Sequence, residues 1–373
     1  MNKRKIIISV GGSGGHLFPA QAMAREILKN PTEVEILFTG HGLENSPFFA
    51  REEFNFQELP SAHLSSKKIS ELVINCLTIS KGIVSAFKLI NQFRPDLVIG
   101  FGSFHSLPSL FSAYLCSYPF MLYEANCSMG KVNRFFAKSA RLMTNSFDLE
   151  NEKKLKKLLR VQFPLQEKYH RNFQSKEDAR RHFLLQNDKF TFLVFGGSQG
   201  ALSLNTHFCS AVMELLHFAK NFQVIHISGN AEHSEELRNF YREHQIDACV
   251  RDFENRMDLA WRAADLAITR AGASTIAEMI AMQVPSILLP FPYSSEKHQE
   301  KNASFAQEIV GGALCFEEKD LGPTKLARAI SSLVENDQRL LLQMKENIKN
   351  YRAQQKHPNL SQVACELAGI CMR

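Results

Sequence analysis

Residues 6–16, Ile6-Ile7-Ile8-Ser9-Val10-Gly11-Gly12-Ser13-Gly14-Gly15-His16, run from an apolar, mostly β-branched segment straight into a glycine-rich turn, and a helical pattern follows. The same order returns about half a chain later, where residues 190–195 lead into Gly196-Gly197-Ser198-Gln199-Gly200-Ala201. A strand that ends in such a turn and opens a helix leaves backbone N–H groups pointing outward at the positive end of the helix dipole, which suits phosphate or another anion. Two such turns predict two α/β halves. Neither turn reads GxGxxG and the chain holds no GxxxxGK[ST], so neither a dinucleotide fingerprint nor a P-loop is present.

Outward from the first turn, strands are expected at 6–10, 34–38, 97–99 and 119–123, with helices at 18–28 and 69–93. Around the second turn, strands are expected at 190–195, 223–228, 266–269 and 286–290, with helices starting near Leu202, Ala231, Met257 and Ser274 and a helical, charged tail from about Pro323. Apolar strands alternating with helices predict α/β architecture: two doubly wound, Rossmann-like parallel sheets. Two such domains facing each other would bring the C-terminal strand ends to one cleft, where open α/β sheets bind ligands. The lysine-rich stretch 151–166, ending near Pro164, is read as the connection, dividing the chain into 1–163 and 164–373.

A length of 373 residues fits two domains, and 45% hydrophobic with 22% charged residues is ordinary for a soluble globular chain. The net charge of +6 is uneven: residues 1–163 carry +7 and residues 164–373 carry −1. The basic first half suits an anionic partner there, a phosphorylated substrate or an acidic membrane surface, or is simply a solvated basic face. No nucleic-acid partner is expected. Eight cysteines without a CxxC read as reduced thiols rather than disulfides or a metal site. No signal peptide is read at the start. Residues 97–123 lack charged side chains, but Gly100, Gly102, Ser103, His105, Pro108 and Pro119 break the run, so it parses as strand, loop, helix and strand rather than a membrane span.

His16 closes the first turn, where a neutral imidazole is able to take a proton from an attacking hydroxyl, or merely makes a structural bond at a helix start. In Arg270-Ala271-Gly272-Ala273-Ser274-Thr275-Ile276-Ala277-Glu278, a tight turn opens a helix and Glu278 lies about one turn in. That carboxylate either completes a capping arrangement or accepts two hydrogen bonds from a ribose diol. With the second glycine turn, it suggests a nucleotide-sugar site in which amides hold a diphosphate and an acid holds the ribose. The polar run from His298 and Gln299 to Ala303 adds side chains suited to sugar hydroxyls.

Together GGSGGHLFPA (11–20), PDLVIGFGS (95–103), YEAN (123–126), FGGSQGA (195–201), TRAGASTIAE (269–278) and HQEKNA (298–303) resemble, in order and spacing, the MurG family of bacterial glycosyltransferases over nearly the whole chain. The resemblance implies a GT-B fold, with the first domain facing acceptor and membrane and the second binding UDP-N-acetylglucosamine (UDP-GlcNAc); the C-terminal helix would pack back on the first domain. It implies inverting transfer of GlcNAc to lipid I, the undecaprenyl-pyrophosphoryl-MurNAc-pentapeptide, giving lipid II, at the cytoplasmic face of the inner membrane. No cofactor is implied, since UDP-GlcNAc is a substrate. Cell-wall synthesis or division proteins are candidate partners. Carried over by position, Ser13, Gly14 and Gly15 line the sugar and diphosphate region, with His16 as base, and Asn126 reaches the donor sugar. Ser198 meets the diphosphate, Phe253 and Glu254 the uracil, and Ala273 and Ser274 the phosphates. Glu278 meets the ribose, and His298 and Gln299 the sugar hydroxyls.

Three departures stand out. Tyr123-Glu124-Ala125-Asn126 replaces the family's His-Glu-Gln-Asn, Gly102-Ser103 replaces a Gly-Gly pair, and Gln162-Phe163-Pro164-Leu165-Gln166 replaces Gly-Asn-Pro-Val-Arg. The last removes an arginine that would meet donor phosphate, leaving weaker donor affinity or substitution by a nearby lysine. No Asp-x-Asp is present to hold a metal, so helix N-termini and the amides after Gly196 are expected to stabilise the leaving diphosphate. A UDP-GlcNAc epimerase, another GT-B transferase and a catalytically silent nucleotide-sugar-binding, membrane-docking protein remain the alternatives. For membrane contact, helix 69–93 offers Leu72, Val73, Leu77 and Ile83 beside Lys67 and Lys68, a composition suited to a helix lying on an anionic surface or one burying its stripe against the sheet.

Overall fold

The computed structural model describes residues 3–29, 34–62, 68–149, 152, 155–170, 175–197 and 200–370. Ile6, Ile7 and Ile8 lie in β1 (Arg4–Gly11), wholly buried, as a strand covered on both faces requires. The elements that follow are α1 (Gly14–Ile27), β2 (Val34–His41), β3 (Phe56–Glu58), α2 (Ile69–Phe93), β4 (Leu97–Gly100), α3 (Leu107–Leu115), β5 (Phe120–Glu124), α4 (Lys131–Phe136), β6 (Leu142–Asn145) and β7 (Leu158–Arg160). They build a parallel sheet ordered β3-β2-β1-β4-β5-β6-β7. The strand order reverses between β1 and β4, beside the first glycine turn.

The second sheet repeats the plan. Its elements are α5 (Lys176–His182), β8 (Phe190–Phe195), α6 (Leu202–Glu214), β9 (Phe222–Ile227), α7 (Ala231–Glu243), β10 (Asp247–Arg251), α8 (Met257–Ala263), β11 (Leu266–Thr269), α9 (Ala273–Met282), β12 (Ser286–Leu288), α10 (His298–Ser304), β13 (Ala313–Cys315), α11 (Pro323–Val334) and α12 (Arg339–Gln354). The parallel order is β10-β9-β8-β11-β12-β13, reversing between β8 and β11 beside the second glycine turn. Phe192, Phe208 and Phe222 pack edge to face in its core, with ring centroids 5.2–5.9 Å apart.

The chain divides into Met1–Gln166 with His357–Arg373, and Glu167–Lys356. The division at 163/164 is corrected at the connection, while the C-terminal helix packs on the first unit as the resemblance implies. The stretch read as a connection supplies β7, an edge strand paired with β6, and Phe163 stacks on Phe147 at 5.8 Å, which keeps this segment in the first unit. After α12 the chain returns: α13 (Leu360–Leu367) packs against α1 and β4. The amide of Gln162 donates to the Pro358 carbonyl at 3.0 Å.

Residues 97–123 resolve into β4, a short turn, α3 and β5. Helix α2 is the one described helix long and apolar enough to cross a membrane, yet it is docked on this unit by Ile79, Gly82, Ala86 and Ile90. Gly82 lies against the Pro60 carbonyl and the Pro108 ring, a contact that leaves no room for a Cβ. The opposite face is bare: Ile69, Val73, Ile74, Leu77, Val84 and Phe87 are exposed, while Leu72 and Ile83 are half-buried. The alternative in which this whole stripe is buried against the sheet therefore does not hold. Lys68 is exposed, its ammonium 3.4 Å from Glu71; Lys67 lies outside the described residues.

Candidate functional site

In the first unit, the turn after β1 is pinned from both sides. A Cβ on Gly11 would stand 2.8 Å from Ser103 Oγ, and one on Gly12 would stand 2.9 Å from the Gly42 carbonyl. Ser13 occupies the N-cap of α1, but its hydroxyl makes no capping bond and meets His16 Nδ1 at 3.1 Å instead. The other ring nitrogen, Nε2, lies beside Gly102, 3.8 Å from where a Cβ would be. A base at Nε2 requires the tautomer in which Nδ1–H donates to Ser13 Oγ. Gly15, in the first turn of α1, has nothing within 4 Å of its would-be Cβ, so packing gives no reason for glycine there.

Asn126 is placed by a residue to which the sequence reading gives no role. The buried carboxylate of Glu124 accepts from the Asn126 amide and side chain, both at 3.2 Å, and from Gly130 N and Asn133 Nδ2, both at 3.0 Å. Burial pushes its pKa up against the pull of these four bonds. Tyr123, where the family has histidine, is wholly buried, bonded to Ser146 Oγ at 2.9 Å and packed on Phe101. Ser103 adopts φ 70°, ψ 153°, a backbone region that glycine favours, and its hydroxyl accepts from the His105 amide.

In the second unit, Ser198 lies outside the described residues. The glycines around it are required sterically: a Cβ on Gly196 would stand 2.3 Å from Ala201 N, and Gly200, at φ 71°, is 2.7 Å from the Ser228 carbonyl by the same measure. Gly272 caps α9 without a side-chain bond, and Ser274 Oγ is buried with no partner among the described residues. Ala273 begins this helix. The buried Arg270 holds the turn in place, donating to the Leu289 carbonyl at 2.9 Å, Ser203 Oγ at 2.9 Å and Glu318 at 2.8 Å.

Glu278 does not cap α9. Its Oε2 accepts from Trp261 Nε1 at 2.8 Å, and the Tyr169 hydroxyl also hydrogen-bonds to it. Burial pushes its pKa up to about 7, while both bonds and the neighbouring Lys168 ammonium pull it down. Lys168, a lysine close to the missing arginine, is not spare: it donates to the Asn255 carbonyl at 2.8 Å, among Asp258, Glu278 and Glu254. Phe253 is half exposed after β10, and the buried Glu254 accepts from Arg256 N at 2.6 Å and bonds Arg251. His298 Nδ1 donates to the Ser295 carbonyl at 2.6 Å, and Gln299 Oε1 accepts from Phe291 N at 2.9 Å. Asn302, one turn on in α10, donates to the Ala271 carbonyl at 3.0 Å. Ala273, Ser274, His298 and Gln299 thus sit on two elements tied together beyond the strand ends. Among the described residues no group of three or more His, Cys, Asp or Glu is arranged to hold a metal.

Residues 6–144 match the glycosyltransferase family 28 N-terminal domain and residues 191–362 the family 28 C-terminal domain. The crystal structure of Acinetobacter baumannii MurG superposes with a TM-score of 0.75 over 99% of both chains at 23% identity, which shows the GT-B fold; the two family 28 domains define the class as glycosyltransferases. A protein from Protochlamydia amoebophila named UDP-N-acetylglucosamine--N-acetylmuramyl-(pentapeptide) pyrophosphoryl-undecaprenol N-acetylglucosamine transferase is 37% identical over 98% of this chain and 95% of its own. One of the same name from Chlamydia felis is 32% identical over 97% of this chain and 98% of its own. The chain belongs to this transferase family, MurG.

Proposed function

We propose that this chain transfers GlcNAc from UDP-GlcNAc to lipid I, forming lipid II for peptidoglycan. The observation that carries the reading is its likeness, over nearly its full length, to transferases of that name. In the mechanism, His16 Nε2 takes the proton of the acceptor hydroxyl as that oxygen attacks the anomeric carbon from the side opposite UDP, giving a β-linked product. Asn126, placed by Glu124, is assigned to the donor sugar, and His298 and Gln299 to the sugar hydroxyls. Glu278 accepts from the ribose diol, and Phe253 with the Glu254 backbone meets the uracil. The leaving diphosphate is met by Ser198, by the amides after Gly196 and by the uncapped start of α9, where Ser274 Oγ is a ready donor. The reading needs no metal. Labelled UDP-GlcNAc and lipid I incubated with the protein in EDTA are expected to yield lipid II. A folded protein that forms no product, with or without added Mg²⁺, would end this reading, and product only with Mg²⁺ would end the metal-free mechanism.

The acceptor's lipid tail demands a membrane surface, and the exposed face of α2 with Lys68, Lys81 and Lys88 supports peripheral attachment to the cytoplasmic face of the inner membrane. Lysines near an anionic leaflet contribute about 1 kcal/mol each, so the attachment is salt-sensitive. There the enzyme serves the cell-wall assembly on which cell shape and division depend, and proteins of those processes are candidate partners. Val73→Glu with Leu77→Glu is expected to abolish sedimentation with anionic liposomes while UDP-GlcNAc binding stays unchanged. Undiminished sedimentation moves the docking surface elsewhere.

A further inference from the structure

Trp261 is the only tryptophan in the chain. It is wholly buried on α8, its ring edge-on to Phe195 of β8 at 5.6 Å, and its one polar atom is spent on Glu278 Oε2. A buried indole N–H needs an acceptor, and a carboxylate gives a strong one. Tyr169, nearly buried in the short turn Glu167–Tyr169, brings a second donor from a different part of the fold. Glu278 is thereby gripped by two rigid aromatic side chains, each with a single hydrogen to give.

We infer that Trp261 and Tyr169 are positioning residues for donor recognition: they hold the Glu278 carboxylate in one orientation and leave its remaining lone pairs for the ribose diol. The inference rests on the reading that Glu278 binds the ribose. A carboxylate carried only by its own χ angles would have to be ordered when the donor arrives; one already held forgoes that cost. The charged groups around it are Lys168 from the same turn as Tyr169, Asp258 from α8 with its partner Arg256, and Glu254 beyond Lys168. Removing either aromatic donor weakens the preference for the ionised form, so donor binding should lose its ionised partner at a higher pH.

The sole tryptophan makes the grip directly visible. In the full-length protein, Trp261 fluorescence is expected to titrate near neutral pH, to lose that transition in Glu278→Gln, and to shift it upward by about 0.5–1 pH unit in Tyr169→Phe. Tyr169→Phe and Trp261→Phe are each expected to raise KM for UDP-GlcNAc about tenfold while kcat holds. Because Trp261→Phe removes core volume, its melting temperature is measured alongside, and Tyr169→Phe carries the test if that variant fails to fold. A fluorescence titration unmoved by Tyr169→Phe, or a KM unchanged in a folded Tyr169→Phe, overturns the inference. If Glu278→Gln leaves donor affinity intact while the fluorescence behaves as expected, the ribose reading has failed, the donor role falls with it, and the grip is structural.

Discussion

The two glycine-rich turns begin alike and serve differently. In the first, helix α1 starts within the turn, so His16 and the Ser13 hydroxyl are presented together with the backbone amides, and Gly15 has open space where a Cβ would stand. In the second, Gly196 is pressed against Ala201 and Gly200 against Ser228, and α6 begins only at Leu202. There Gly196 and Gly200 are fixed by close backbone contacts, while the acid comes from α9, three strand–helix units later. Both turns keep glycines by packing, Gly11 and Gly12 in the first and Gly196 and Gly200 in the second; what separates them is the pair of side chains, Ser13 and His16, that the first presents.

The largest effect expected from breaking that contrast is at His16. His16→Ala should lower turnover by roughly 10²–10⁴-fold with donor affinity largely intact, measured by single-turnover transfer and calorimetry. Near-parental turnover would make the first turn a second backbone cradle and erase the difference.

Next comes Glu278→Gln, expected to weaken UDP-GlcNAc binding by about 10–150-fold, the loss of one charge-assisted bond of roughly 1.5–3 kcal/mol. With its carboxyl at about 7, donor affinity in the parent should fall as pH drops through 7 and level off above 8, and the variant should lose this dependence. Stability moves the other way. A folded-state pKa above the ordinary 4.5 means that the acid form's contribution is complete below that value and is lost as pH rises through about 7. Glu278→Gln should therefore be more stable than the parent at pH 8 by about 1–3 kcal/mol, seen as a higher melting temperature, and show no such gain at pH 4. A lowered melting temperature at pH 8 with donor affinity unchanged would make Glu278 a fold residue only.

The smallest effects sharpen the contrast within the turns themselves. Gly15→Ala, in a helix with free space, should stabilise by about 0.4–1 kcal/mol yet cut transfer about tenfold. Gly200→Ala, at positive φ against a carbonyl, should destabilise by about 1–3 kcal/mol. Thermal melts and transfer assays on both variants test the pair; similar losses of stability in the two would mean that both turns are packed alike.

Much of this was open to reading from sequence because it is local. The run 6–10 could only be a strand buried on both faces, and each glycine turn follows its strand without a gap. β7 was hidden because its residues sit among lysines at a sheet edge, where one flank meets water and apolar continuity is not required. β3, β10 and β13 are likewise short or edge strands. In the site, Glu278 is conspicuous as a carboxylate near a helix start, but its holders Trp261 and Tyr169 come from elements that only tertiary packing brings to it. Glu124 stood in plain view as the acid closing an uncharged stretch, a signal that a buried carboxylate must be serving several donors.

The return of the chain after α12 has a consequence for its birth. The first unit lacks α13 until the final residues are made, although β1, α1 and β4 that receive it are made early. At about 5–20 residues per second, translation of Glu167–Lys356 takes roughly ten to forty seconds, during which the second unit is able to fold as one continuous piece while the first waits, unfinished. Synthesis order and completion order are thus reversed, and the vulnerable interval on the ribosome belongs to the half of the protein that emerged first.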